Sequence, residues 1–169
     1  MGDIERLIAD SLKQFSSYIR DSSWYGRERE AVSLYALGFL QKQLGKVDWL
    51  TGPTQILIEG AVRQRPGSER KKHVNKDLLL WDAPGMTCWN SDMEPVHVPL
   101  VVLEWKVYRR SSTKEIKFSD HDLDWLSWFT SSYVGRVGFA INVVISGPNS
   151  HLKTAKIIEG YVDENWLSC

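Results

Sequence analysis

The 169-residue chain predicts a single α/β domain, a mixed central sheet of four to five strands flanked by helices. Three observations predict it. Apolar residues in 4–20 and 24–44 recur at helical spacing, four later runs are short and apolar like strands, and a helical pattern at 121–131 separates the third run from the fourth. Strands that follow one another directly pair antiparallel, whereas a helix between two strands permits a parallel crossover.

The elements follow in order. Ile4, Leu7, Ile8, Leu12, Phe15 and Ile19 make the stripe of an N-terminal helix over 3–20, and Asp21-Ser22-Ser23 breaks it. Val32, Tyr35, Ala36, Phe39 and Leu40 make the stripe of a second helix, 24–44, with Gly45 as its C-terminal stop. Thr51-Gly52-Pro53 is turn chemistry and leads into a first strand, 54–63. Pro66-Gly67 marks 64–75 as a connection, and a second strand, 77–81, carries Asp77 at its head. Residues 82–98, with Pro84, Gly85, Asn90 and Ser91, read as a long loop, a kind that is often functional.

A third strand spans 100–108. Ser119-Asp120 then caps the helix 121–131, which carries Leu123, Leu126 and Trp128. The run 136–146 is apolar enough for a strand buried on both faces, ended by Gly147-Pro148. Residues 156–162 suggest an edge strand, and the tail beyond has no clear assignment.

Composition narrows the classes of function. Hydrophobic content is 43% and charged content 25%, the ordinary mixture of a globular domain, and eight tryptophans favour an aromatic-rich core. No apolar run reaches bilayer-spanning length and no signal-peptide pattern opens the chain, so no membrane partner and a cytoplasmic location are expected. Two cysteines, Cys88 and Cys169, make no disulfide framework, and the histidines show no zinc-ligand spacing. The 21 basic and 21 acidic residues balance overall. Locally they do not: Arg63, Arg65, Arg70, Lys71, Lys72 and Lys76 gather against Glu69 alone.

The chemistry concentrates on the third strand, which ends Leu-Glu104-Trp105-Lys106-Val. Alternation sends Glu104 and Lys106 to one face and Trp105 to the other. With Asp77 on the strand before, two carboxylates and a lysine on neighbouring strands suit metal-assisted phosphodiester cleavage. The spelling Glu-x-Lys is not decisive alone, since Glu69–Lys71 and Glu115–Lys117 repeat it. Only the middle copy lies on an apolar strand behind a second strand led by an aspartate.

This order of elements, an acid-bearing helix, a strand, an aspartate strand, a strand ending Glu-x-Lys, a helix and a strand, resembles the PD-(D/E)XK nuclease superfamily. The resemblance covers about 24–146 and implies a restriction-endonuclease-like core. On matching positions Asp77 would be the motif aspartate, Glu104 the motif acid and Lys106 the motif lysine, with Glu28 or Glu30 standing for the acid that members carry on the first core helix. Lys76 stands where the family usually has proline.

The resemblance implies a metal-dependent DNA endonuclease using Mg²⁺ or Mn²⁺. Asp77, Glu104 and the backbone carbonyl of Trp105 would be the ligands, and Lys106 would position the attacking water. The basic cluster 63–76 and Arg109-Arg110 would grip the phosphate backbone of nucleic acid. A homodimer would let two strands be cut. Bland readings stand beside these: Glu104 and Lys106 as a solvent-facing ion pair, Glu28 and Glu30 as first-turn acids facing the helix dipole, and the basic cluster as a solvated hairpin. The alternative function is an inactive nuclease-fold module that binds DNA or a protein.

Overall fold

The computed structural model describes residues 2–67, 72–109 and 116–169. Its centre is one six-stranded mixed sheet in chain order, β1 (Ile56–Arg63), β2 (His73–Leu80), β3 (Val101–Arg109), β4 (Val137–Ile145), β5 (His151–Ile158) and β6 (Tyr161–Ser168). Every neighbouring pair is antiparallel except β3 and β4, which run parallel from Val101↔Val137 to Arg109↔Ile145. Helix α3 (Asp120–Ser132) makes that crossover, as expected of a three-strand meander followed by a helix. Six strands, not four to five, is a correction. The run around 156–162 is a hairpin in which Glu159 (φ 52°) and Gly160 (φ 80°) make the turn, and the unassigned tail is β6.

Two apolar layers sandwich the sheet. On one face, α1 (Asp3–Asp21) and α2 (Glu28–Tyr35) pack Leu12, Phe15, Ile19, Val32 and Tyr35 against Leu78, Leu103, Trp105 and Phe139. Phe15, Tyr35 and Trp105 meet there with ring centroids 5.0 to 5.8 Å apart. On the other face, α3 packs Trp125, Leu126 and Phe129 against Leu79, Val102 and Ala140, with Cys88 from the 82–98 segment beneath. Strand β4, between these layers, is buried at every position. Trp89 also folds back on this layer, edge-on to His73 at 5.0 Å. Cys88 and Cys169 are free thiols. No helix among the described residues is long and apolar enough to cross a membrane.

Two elements differ from expectation in ways that shape the site. The second helix starts only at Glu28, where the Glu30 carboxylate accepts the Arg27 N–H at 2.6 Å. It then widens into a π-turn over Ala36–Leu40, around the poor helix former Gly38, and tightens to 3-10 geometry at Gln41–Gln43. Strand β2 begins at His73, so Asp77 lies within the strand and not at its head. Its first half has polar His73, Asn75 and Lys76, a pattern that conceals a strand in the sequence.

Face assignments along the β1–β2 hairpin change partway. Ile58 and Leu78 belong to the α1/α2 layer, but Val62 and Val74 belong to the α3 layer, although the register between the strands is unbroken. Both strands therefore roll over together, and the roll falls at Glu59 and Asp77. Glu59 takes φ 53°, and the pair it would form with Asp77 is missing from the ladder.

Candidate active site

Strands β2 and β3 pair only through Leu80–Val101, Leu79–Val102 and Leu78–Leu103, then part. Beyond that point the buried N–H of Trp105 lacks a ladder partner and needs another acceptor. Asp77 supplies it: its Oδ2 accepts the Trp105 N–H at 2.7 Å. The aspartate of β2 is thereby fixed against the segment that carries Glu104 and Lys106. Asp77 also lines a small cleft of about 60 Å³ with Glu28, Val32, Ile58 and Glu59.

Lys106 occupies the mouth of the parted strands, with its side chain 37% exposed. Its Nζ donates to Glu28 Oε1 at 3.3 Å and to the Trp105 carbonyl at 2.9 Å, and Asp122 Oδ2 lies 3.8 Å away. Burial works against the charged amine. The carboxylates of Glu28, Asp122 and Asp77 outweigh burial and hold the pKa above its usual value. Lys106 is therefore a standing cation, suited to offsetting negative charge and unsuited to taking a proton.

Of the two helix acids, Glu28 faces the site. Glu30 is spent on capping its own helix and makes no contact with Lys106. Helix α3 supplies a further acid, one outside the candidate set read from the sequence. Ser119 caps it by accepting the Asp122 N–H at 3.3 Å, and this places Asp122, 14% exposed, beside Lys106. The cap is legible in the sequence. Which of Asp120, Asp122 and Asp124 turns toward β3 is not, and the structure leaves the other two exposed.

Glu104 meets an unexpected partner. The roll of β2 points Lys76 toward the α3 layer, where its Nζ pairs with Glu104 Oε1 and sits 4.0 Å from the centre of the Trp125 ring. Both side chains are nearly sealed, at 4% and 7% exposure. Burial lifts the Glu104 carboxyl to about 7; Lys76 opposes that shift, and Asp77 and Asp122 add to it.

Lys76 is thus no surface phosphate contact, which corrects its place in the basic cluster. Arg63 and Arg65 are exposed, as is Lys72, which pairs with Glu94 at 2.7 Å. Arg109 is turned toward the loop before α2, donating to the Gly26 carbonyl at 3.1 Å and covering the Tyr25 ring at 4.7 Å. Arg70, Lys71 and Arg110 lie outside the described residues.

The donors gathered here are carboxylate and carbonyl oxygens, the type that Mg²⁺ and Mn²⁺ prefer. In chemistry the set fits such a cation. Among the described residues, however, no three acidic, histidine or cysteine side chains already surround one point. Glu104 turns to Lys76, and the Trp105 carbonyl to Lys106. The chain matches no family model, no curated protein and no solved structure.

Proposed function

We propose that this chain is a metal-dependent nuclease with a restriction-endonuclease-like core, acting on DNA as an endonuclease. The observation that carries the reading is the hydrogen bond from Trp105 to Asp77. It ties the β2 aspartate to the Glu-x-Lys segment at the place where β2 and β3 part. Asp77 and Glu104 would hold Mg²⁺ or Mn²⁺, with the Trp105 carbonyl as a third oxygen. When bound, such an ion supplies an acidified water and positive charge for the scissile phosphate.

The remaining work falls to the chain itself. Lys106, kept protonated by Glu28 and Asp122, orients the attacking water through an N–H bond and offsets charge growing on the phosphate oxygens. Glu28 and Asp122 aim the Lys106 side chain from opposite helices. Arg63, Arg65 and Lys72, on or just beyond the β1–β2 hairpin, supply exposed charge for the nucleic-acid backbone. A homodimer would present two such sites to the two strands of a duplex.

The second reading is a nuclease-fold module that binds DNA or a protein without cutting. The sealed Lys76–Glu104 pair favours it, since that pair engages one proposed ligand. One experiment separates the two readings. Supercoiled and linear DNA are incubated with the protein in Mg²⁺ or Mn²⁺, with chelator controls, alongside Lys106→Ala and Asp77→Ala. Metal-dependent cleavage lost in both variants supports the enzyme. Cleavage retained at wild-type rate in both, or DNA bound without divalent metal and never cut, rejects it.

A further inference from the structure

Lys76 has no part in the proposed cleavage, yet among the described residues it is a deeply buried cation in contact with the site. Three features hold it there. The coupled roll of β1 and β2 directs residue 76 toward the α3 layer. The Trp125 ring receives its ammonium at 4.0 Å, and Glu104 closes the pair from β3. A carboxylate as enclosed as Glu104 needs a positive partner, and among the described residues Lys76 supplies it.

From this we infer that Lys76 is an internal counter-ion that holds Glu104 until a divalent cation displaces it, so that Lys76 sets the metal concentration at which the site loads. The inference rests on the nuclease reading and adds regulation of that same site. A divalent ion and the ammonium are like charges competing for one carboxylate. Binding the ion expels Lys76 from Glu104, at the cost of the ion pair it breaks. Loading is therefore weaker than the oxygen donors alone would give, and it is accompanied by movement of Lys76 across the Trp125 face.

The test measures metal binding, not cleavage. Mn²⁺ alone is titrated into the full-length protein and followed by the paramagnetic resonance of free Mn²⁺, for wild type, Lys76→Met, Lys76→Gln and Lys76→Arg. Removing a unit charge in direct contact should tighten Mn²⁺ binding at least about tenfold in the Met and Gln variants, with Arg close to wild type. Equal or weaker binding in the neutral variants overturns the inference and leaves the nuclease reading standing. Absence of Mn²⁺ binding in all four proteins overturns both.

Because neutral variants leave Glu104 enclosed without its cation, the wild type supplies an independent measurement. In protein labelled with 5-fluorotryptophan, the Trp125 resonance, assigned with Trp125→Phe, should shift as Mg²⁺ saturates the site. A Trp125 resonance unmoved at saturation overturns the inference whatever the variants do.

Discussion

Asp77 Oδ2 accepts the main-chain N–H of Trp105 at 2.7 Å, so a side chain replaces the carbonyl that a continuing β2–β3 ladder would have provided. The hydrogen bond has a structural share and a chemical one, and two substitutions separate them. Asp77→Asn keeps an acceptor oxygen and should unfold within ~1 kcal/mol of wild type, whereas Asp77→Ala should lose about 1–3 kcal/mol in urea titration. Both should abolish metal-dependent cleavage. Full cleavage by Asp77→Asn would remove the aspartate from the catalytic set.

Lys106→Met removes the only cation among the described residues that Glu28 and Asp122 share. Cleavage at saturating metal should fall by at least about 100-fold, the scale for losing one stabilising donor. Mn²⁺ affinity should not fall, because a positive charge has left the neighbourhood. A parallel loss of Mn²⁺ binding and cleavage would show that Lys106 organises the acids and does not act on the phosphate.

The Lys76–Glu104 pair gives a stability cycle. Lys76→Met or Glu104→Leu alone breaks an enclosed pair and should cost roughly 3–5 kcal/mol, while the double variant should recover most of that loss. Denaturant midpoints for the four proteins measure the coupling. Additive losses would mean that the two side chains are solvated separately.

Tyr35 governs a different property, tolerance of alkali. Its buried phenol donates to or accepts from Ser11 at 2.7 Å, and burial raises its pKa well above the usual value, with the Ser11 bond opposing. The neutral form is thus favoured in the fold. The associated stability is complete below about pH 10, where the unfolded phenol ionises, and is lost as pH climbs above it. Tyr35→Phe should cost only ~1 kcal/mol at neutral pH, since Ser11 still donates to the Ile8 carbonyl at 3.0 Å. It should also flatten the fall in melting temperature above pH 10. An unchanged alkaline slope would place the sensitivity elsewhere.

Arg63 and Arg65 are both exposed on the hairpin side of the sheet. If each meets a phosphate, changing both to Ala should lower the magnitude of the salt slope of DNA binding by nearly 2, about 0.9 for each phosphate no longer neutralised. An unaltered slope with unaltered affinity would assign the phosphate-binding role to another surface.

Much of this architecture is legible in residue order because its strongest signals are local. The stripe from Leu7 to Ile19 and the unbroken apolar run of β4 are strong signals, and α3 between β3 and β4 gives the length of crossover that their parallel pairing needs. The β5–β6 hairpin is harder to see, since Ile157, Ile158 and Tyr161 place apolar residues on both sides of a two-residue turn. The site is legible in type and less so in partnership. Glu104 and Lys106 follow from alternation, but a rotation about the chain at Asp77 decides where Lys76 goes. That rotation lies opposite a positive φ at Glu59, a residue with no special claim to the left-handed region.

The parallel pairing of β3 with β4 has a consequence for biosynthesis. Until residues 137–145 leave the ribosome, one margin of β3 shows bare peptide groups beside some of the chain's most water-averse side chains. Such a nascent intermediate is open to unwanted pairing with another chain, and the delay lasts for as long as residues 110–145 take to be translated.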